Sequence, residues 1–359
     1  KTDVVGARIR KYPSARAAAL SGDNIPEAVY DNLVSTVNDN LPSLHRYAQL
    51  RKKLLGLDKM YMYDMYVPLI ELPKTVIPYE EALDIMRKGL APLGEEYIEK
   101  MNKGLKEGWI DVYENKGKTS GAYSFGSYDS FPYILLNYTD TLKDVFTIVH
   151  EMGHSMHSRY TRDEQPYIYG GHSIFTAEVA STVNESLLMQ YLLSQDNDIE
   201  MRKYLLNLHL EEFRTTLFRQ TMFAEFEDIT HKAIEAGQVL TADWMCQQYE
   251  ALNAKYYGPA VEKDDTIKYE WARIPHFYNA FYVYKYATGY SAASAISGKI
   301  LSEGKPAAES YISFLKTGEC DYPIELLKIA GVDMSSPEPI EEAMTTFNSL
   351  LDEFEKLVV

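Results

Sequence analysis

The stretch that most constrains this chain is residues 141–158, TLKDVFTIVHEMGHSMHS. Within it, HEMGH sets His150 and His154 four residues apart, with Glu151 and Gly153 between them. On an α-helix that spacing puts both imidazoles on one face, one turn apart, where they can share a zinc ion. Glu151, beside the first histidine, can then reach a water on that ion. The helix has local support of its own. Thr141 with Asp144 three residues on reads as a capping box, and Val145, Phe146, Ile148 and Val149 supply apolar surface. The pattern also suits a buried helix whose two histidines are merely hydrogen-bonded, so the rest of the chain has to separate these readings.

At 359 residues the chain can build a large core, and 46% hydrophobic with 25% charged residues is ordinary for a globular protein. No internal repeat or flexible linker interrupts it, so residues 1–359 are expected to form a single mainly helical domain. The formal charge of −16 argues against binding a phosphate backbone, and no nucleic-acid partner is expected. Cys246 and Cys320 are far apart and neither sits in a CxxC pattern, so a metal here would be held by nitrogen and oxygen. Two isolated cysteines, no signal peptide and no apolar run of membrane-spanning length give a cytoplasmic expectation with no membrane partner.

In chain order, Asp23-Asn24-Ile25-Pro26-Glu27 opens a long helical run to Gly56, with a bend expected at Pro42. The aromatic and methionine-rich MYMYDMY, residues 60–66, reads as core packing. Residues 78–107 read as two helices broken near Pro92 and Gly94. From Trp109 to Asp140, β-branched and aromatic residues alternate with turn formers, which predicts a small antiparallel sheet feeding into the HEMGH helix. Its edge either holds an extended peptide by strand addition or is a purely structural hairpin. After a loop at 161–172, residues 173–195 predict a second helix, with Val179, Val183, Leu187 and Leu188 as its apolar stripe. Residues 199–236 and 241–254 are helical, 255–278 irregular, and the remainder helical with breaks.

A catalytic zinc needs a third protein ligand and an open position for water. Glu178 is the best candidate, 28 residues after His150 on the following helix, flanked by Ala177 and Val179. A carboxylate buried there is costly unless paired or metal-bound; otherwise it is an exposed acid on an amphipathic helix. Glu185, seven residues on, shares its face and can hydrogen-bond a ligand histidine. His157, one turn past His154, reads as a supporting residue, because a fourth protein ligand would close the water position. His172, beside Gly170-Gly171, is either a loop histidine or a substrate contact.

Four blocks carry a family resemblance: HEMGHSMHSRYT at 150–161, YIYGGHSIFTAEVAST at 167–182, FRQTMFAEFE at 218–227 and IPHFYNAFYVYKYATG at 274–289. Together they resemble oligoendopeptidase F, of the thimet-oligopeptidase-like zinc metallopeptidases, over roughly residues 117 to 290. The resemblance implies a mainly α, zincin-type helical catalytic domain with a deep channel, acting on short unstructured peptides. It also implies one zinc ion held by His150, His154 and Glu178, with Glu151 as general base. In the last block it implies that His276 and Tyr286 contact substrate and stabilise the transition state, with Tyr278 and Tyr282 as further substrate contacts. A single helix would part His276 from Tyr286 by about 15 Å, so His276 is expected to precede the helix, as Pro275 suggests. Family members carry a further N-terminal region, most of which this chain is expected to lack. The expected activity is that of a zinc endopeptidase. Its rivals are a dipeptidyl carboxypeptidase on the same scaffold and a non-catalytic peptide-binding protein with a structural metal.

Overall fold

Proline and glycine divide this chain into helices at the places the sequence marks. A computed structural model describes residues 1–71, 75–195 and 198–359. It begins with α1 (Thr2–Ile9), α2 (Ala15–Leu20), α3 (Glu27–Asp39) and α4 (Leu41–Leu54). Pro42 therefore starts a helix rather than bending one. It occupies the first turn of α4, where its missing N–H costs nothing, and Asn40 ahead of it leaves helical geometry at φ −99° and ψ 6°. Then come α5 (Tyr79–Gly89) and α6 (Glu95–Lys106), parted by a 3₁₀ turn at Ala91–Leu93 and by Gly94 at φ +94°. The strands β1 (Ile110–Asp111), β2 (Tyr123–Phe125) and β3 (Tyr133–Leu135) precede α7 (Leu142–Glu164) and α8 (Ile174–Ser194).

The second half holds α9 (Ile199–Glu212) and a π-helical turn at Phe213–Phe218. It continues with α10 (Arg219–Glu235), α11 (Ala242–Tyr257), α12 (Tyr284–Glu303), α13 (Lys305–Leu315), α14 (Pro323–Ile329) and α15 (Glu338–Val358). Mainly helical is thus the observed class. Residues 258–278 form only short 3₁₀ turns, as their Gly-Pro and acidic punctuation predicts. No helix among the described residues is long and apolar enough to cross a membrane. Both cysteines are free, Cys246 buried and Cys320 exposed.

The chain divides into two compact units. One comprises Lys1–Glu71, Leu206–Thr288 and Ser335–Val359. Its core is aromatic. Phe347 of α15 packs its ring against Phe213, Phe218 and Tyr47, and the buried Tyr30 hydroxyl donates to the Ala224 carbonyl at 2.6 Å. Met60, Met62 and Met65 of MYMYDMY are buried as expected, while Tyr63 and Tyr66 are exposed.

The other unit comprises Leu72–Leu205 and Gly289–Met334, and contains the HEMGH helix. Here α7 and α8 run antiparallel. Asn184 donates to the Val149 carbonyl, Gly153 faces Ser181, and Thr161 meets His172. The sheet has the order β1-β3-β2. Its β2–β3 pairing is antiparallel, as expected, but β1 and β3 pair in parallel, so the sheet is mixed. The reason lies in the connection: residues 112–132 separate the two strands, enough chain for a parallel crossover. The sheet is fastened to the helix by hydroxyls, with Ser124 and Ser155 oxygens 2.8 Å apart and Ser155 donating to the Pro132 carbonyl at 3.1 Å.

Candidate metal centre

The site begins with how firmly α7 is started. The Thr141 hydroxyl accepts from the Asp144 N–H at 3.2 Å, and the Asp144 carboxylate accepts from the Thr141 N–H at 3.0 Å, so the expected capping box is present. Burial alone would raise the Asp144 carboxyl, but hydrogen bonds from Thr141 and Thr139 hold it below the usual carboxylate range. From this cap the helix runs 23 residues, with Val145, Ile148, Val149, Met152 and Met156 buried.

Gly153 explains how α8 comes close enough to contribute. A Cβ on Gly153 would lie 2.6 Å from the Ser181 Cα and 2.7 Å from the Ala180 carbonyl oxygen. Only glycine lets the backbones approach this closely, and the approach brings Glu178, one turn from Ser181, over the histidine face. His150 Nε2 and His154 Nε2 are 3.2 Å apart, and Glu178 Oε2 lies 3.6 Å and 3.7 Å from them. Among the described residues these three form the one group of His, Cys, Asp or Glu with the spacing to hold a metal ion.

Three atoms on one tetrahedral face about 2.1 Å from a common centre are separated by roughly 3.4 Å, so the donors nearly match what zinc requires. The set is also chemically apt: two imidazole nitrogens, one carboxylate oxygen and no thiolate. The side chains are 27%, 22% and 44% exposed, which leaves one side of the cluster open to a water.

Both histidines are supported from behind. His150 Nδ1 lies 3.1 Å from Glu185 Oε2, the contact anticipated from their shared face. A hydrogen bond to the Ala177 backbone steadies the His154 ring. Burial alone would lower the His150 imidazole, but Glu185, with Glu151 and Glu178 adding charge, carries it up to about 9. His154 is pushed down to about 4 by burial and by the adjacent His150.

Glu151 is 7% exposed. Burial raises its carboxyl above the ordinary range, with His150 opposing and Glu178 adding to the shift, and the Ser124 backbone of β2 donates a hydrogen bond to it. The strand beside the helix therefore steadies this carboxyl. Nothing in the sequence signals this contact, because it joins residues 27 apart through a serine backbone.

His157 is buried 3.7 Å, ring to ring, from His172, and the His172 Nε2 lies 2.9 Å from the Thr161 hydroxyl. Burial pushes both imidazoles down, His172 to about 4. His157 is thus a packing residue, and His172 is fixed into the α7–α8 connection rather than projecting from a loop.

The remaining candidates lie in the first unit. His276 sits in a 3₁₀ turn at Pro275–Tyr278, ahead of α12, as its preceding proline predicts. Its ring stacks on Tyr282 at 5.4 Å and 24° and meets Tyr286 edge-on at 5.5 Å. The Tyr282 and Tyr286 hydroxyls are 3.3 Å apart. Tyr278 is 93% exposed and is not part of this cluster. The physical reason is that α12 starts only at Tyr284, which leaves Tyr278 and Tyr282 in turns.

Comparison with known proteins places these features in context. The profile of Peptidase family M3 matches residues 1–346. The chain is 56% identical over 359 residues to Oligopeptidase PepF of Bacillus subtilis, covering all of this chain and 54% of that one. It is 49% identical over 352 residues to Group B oligopeptidase PepB of Streptococcus agalactiae, covering 98% of this chain and 58% of that one. The crystal structure of oligoendopeptidase-F from Enterococcus faecium superposes with a TM-score of 0.81 at 43% identity, covering 99% of this chain and 57% of that one. The chain thus spans little more than half the length of these relatives.

Proposed function

The chain belongs to peptidase family M3, and from that premise we propose that it is a zinc endopeptidase hydrolysing bonds within short oligopeptides. One observation carries the proposal: His150, His154 and Glu178 offer three donor atoms within 4.8 Å of one another, with the buried acid Glu151 beside the first. In this reading residues 1–359 work as one catalytic domain.

The three ligands would hold one zinc ion. When bound, it would supply Lewis-acid polarisation of the scissile carbonyl and lower the pKa of a water towards about 7. Glu151 takes the proton of the attacking water and delivers it to the leaving amine, held in place by the Ser124 backbone. Glu185 keeps the Nδ1 proton of His150 engaged, so that Nε2 presents its lone pair. The edge strand β2 is positioned to pair with an extended peptide, which favours unstructured substrates. By the resemblance of the block at 274–289, Tyr286 and His276 are assigned to stabilising the transition state, and Tyr278 and Tyr282 to contacting the peptide.

The test is hydrolysis of internally quenched peptides blocked at both termini, by the wild type and by Glu151→Gln, with zinc measured in each. The expected result is cleavage by the wild type and a loss of about a hundredfold or more in a variant that keeps its zinc. Cleavage confined to peptides with free C-termini would replace the endopeptidase with a dipeptidyl carboxypeptidase. Peptide binding without turnover by the zinc-loaded wild type would reject the enzyme reading.

A further inference from the structure

Glu227 on α10 is an acid that the chemistry above does not use, and it is 2% exposed. Its Oε1 accepts the Phe281 N–H at 3.0 Å, and its Oε2 has no hydrogen-bond partner among the described residues. Phe281 itself is unusual. It is buried with φ at +56°, the left-handed region that an aromatic residue enters only when its surroundings hold it there. Two restraints do so. The ring packs against Tyr30 at 5.9 Å and His231 at 4.6 Å, and the N–H is fixed by the Glu227 carboxyl.

This turn stands between the 3₁₀ turn that carries His276 and the first residue of α12, Tyr284. It reverses the chain so that the His276 ring lies on Tyr282 and against Tyr286. We propose that Glu227 is a positioning residue for the His276–Tyr282–Tyr286 cluster: by accepting the Phe281 N–H, it holds the left-handed turn that presses His276 onto both tyrosines. The catalytic consequence rests on the reading that this cluster faces the substrate; the geometric one does not. Burial pushes the Glu227 carboxyl up to about 8, with the Phe281 N–H pulling against it and Asp3 adding, so the group acts as a hydrogen-bonding acid rather than as a charge. A glutamine would make the same bond.

The experiment compares Glu227→Gln, which keeps an acceptor of the same reach, with Glu227→Met, which keeps the volume and loses the acceptor. The full chain is assayed for kcat and KM on blocked quenched peptides and for zinc content. Contact between the His276 and Tyr282 rings is read as NOEs in ring-labelled protein. The expected result is a Gln variant within about twofold of wild type and a Met variant with kcat down about ten- to a hundredfold. In the Met variant KM should change less than kcat, zinc should be unchanged and the ring NOEs lost.

NOEs and kcat both retained in the Met variant would overturn the proposal, as would a Gln variant as damaged as Met. Loss of the NOEs with kcat unchanged would uphold Glu227 as the support of the cluster and remove the cluster from catalysis. If the Met variant does not fold, Glu227→Asp takes its place, one methylene too short to reach. NOEs retained in the Asp variant would then overturn the proposal, and NOEs lost there but kept with Gln would uphold it.

Discussion

At Glu185 the chemistry of the candidate site depends on a residue that would not touch the metal. Its carboxylate lies 3.1 Å from the His150 Nδ1 and steadies the ring, so Glu185→Ala should weaken zinc binding by about ten- to a hundredfold. Competition with a chelator of known affinity measures this, and unchanged affinity would strike Glu185 from the site. A second buried acid makes a prediction about pH. The Glu227 carboxyl is raised from 4.5 to about 8 in the folded chain, chiefly by burial. The folded state therefore holds a proton that the unfolded state has released. The stability this acid contributes is fully present below pH 4.5 and is lost as the pH rises towards about 8. Glu227→Gln, which never ionises, should match wild type in urea midpoint at pH 4.5 and exceed it increasingly up to pH 8. Parallel pH profiles of the two proteins would show that Glu227 does not titrate in this way.

Two helices make the metal cluster at the scale of elements, and a single glycine sets their separation. Gly153 lies under Ser181 with no room for a methyl group, so Gly153→Ala must push α8 away from α7. Overpacking of this kind costs about 1–3 kcal/mol, and because Glu178 rides on α8 the zinc affinity should fall with it. Urea denaturation and zinc competition on one variant test both halves. Lost stability with zinc affinity intact would show that α8 can shift without moving its carboxylate. The same reasoning accounts for the sheet. Its three short strands could not persist alone, and they are held by Ser124, Ser155 and Pro132 against the helix.

For the molecule as a whole, the question is whether the metal is needed for folding or only for chemistry. The unit with the candidate metal site has its own core, including Val149, Met152, Val183, Leu187, Trp109 and Tyr160. A core of this kind does not depend on one ion, unlike that of a small zinc-dependent domain. Treatment with chelator should abolish peptide hydrolysis while the far-ultraviolet circular dichroism stays helical, with thermal stability lowered only by the loss of ligand binding. Unfolding on chelation would instead mark the metal as structural, as in a peptide-binding protein.

The residues by themselves determined the helix from Thr141, the pairing of His150 with His154, the candidacy of Glu178 and the support of Glu185. The first two and the last follow from a cap and the 3.6-residue period of a helix, which are written locally, whereas the burial expected of Glu178 is not observed: its side chain is 44% exposed. The break near Gly94 and the turn ahead of α12 at Pro275 were legible from their punctuating residues. What the tertiary structure decided is how distant segments meet. It set the parallel pairing of β1 with β3, the hold of Ser124 on Glu151, the removal of Tyr278 from the cluster around His276, and the bond from Phe281 to Glu227. These depend on backbone groups and on packing between residues far apart in the chain. A backbone N–H is the same at every position, and no spacing in the sequence says which buried carboxyl it will meet.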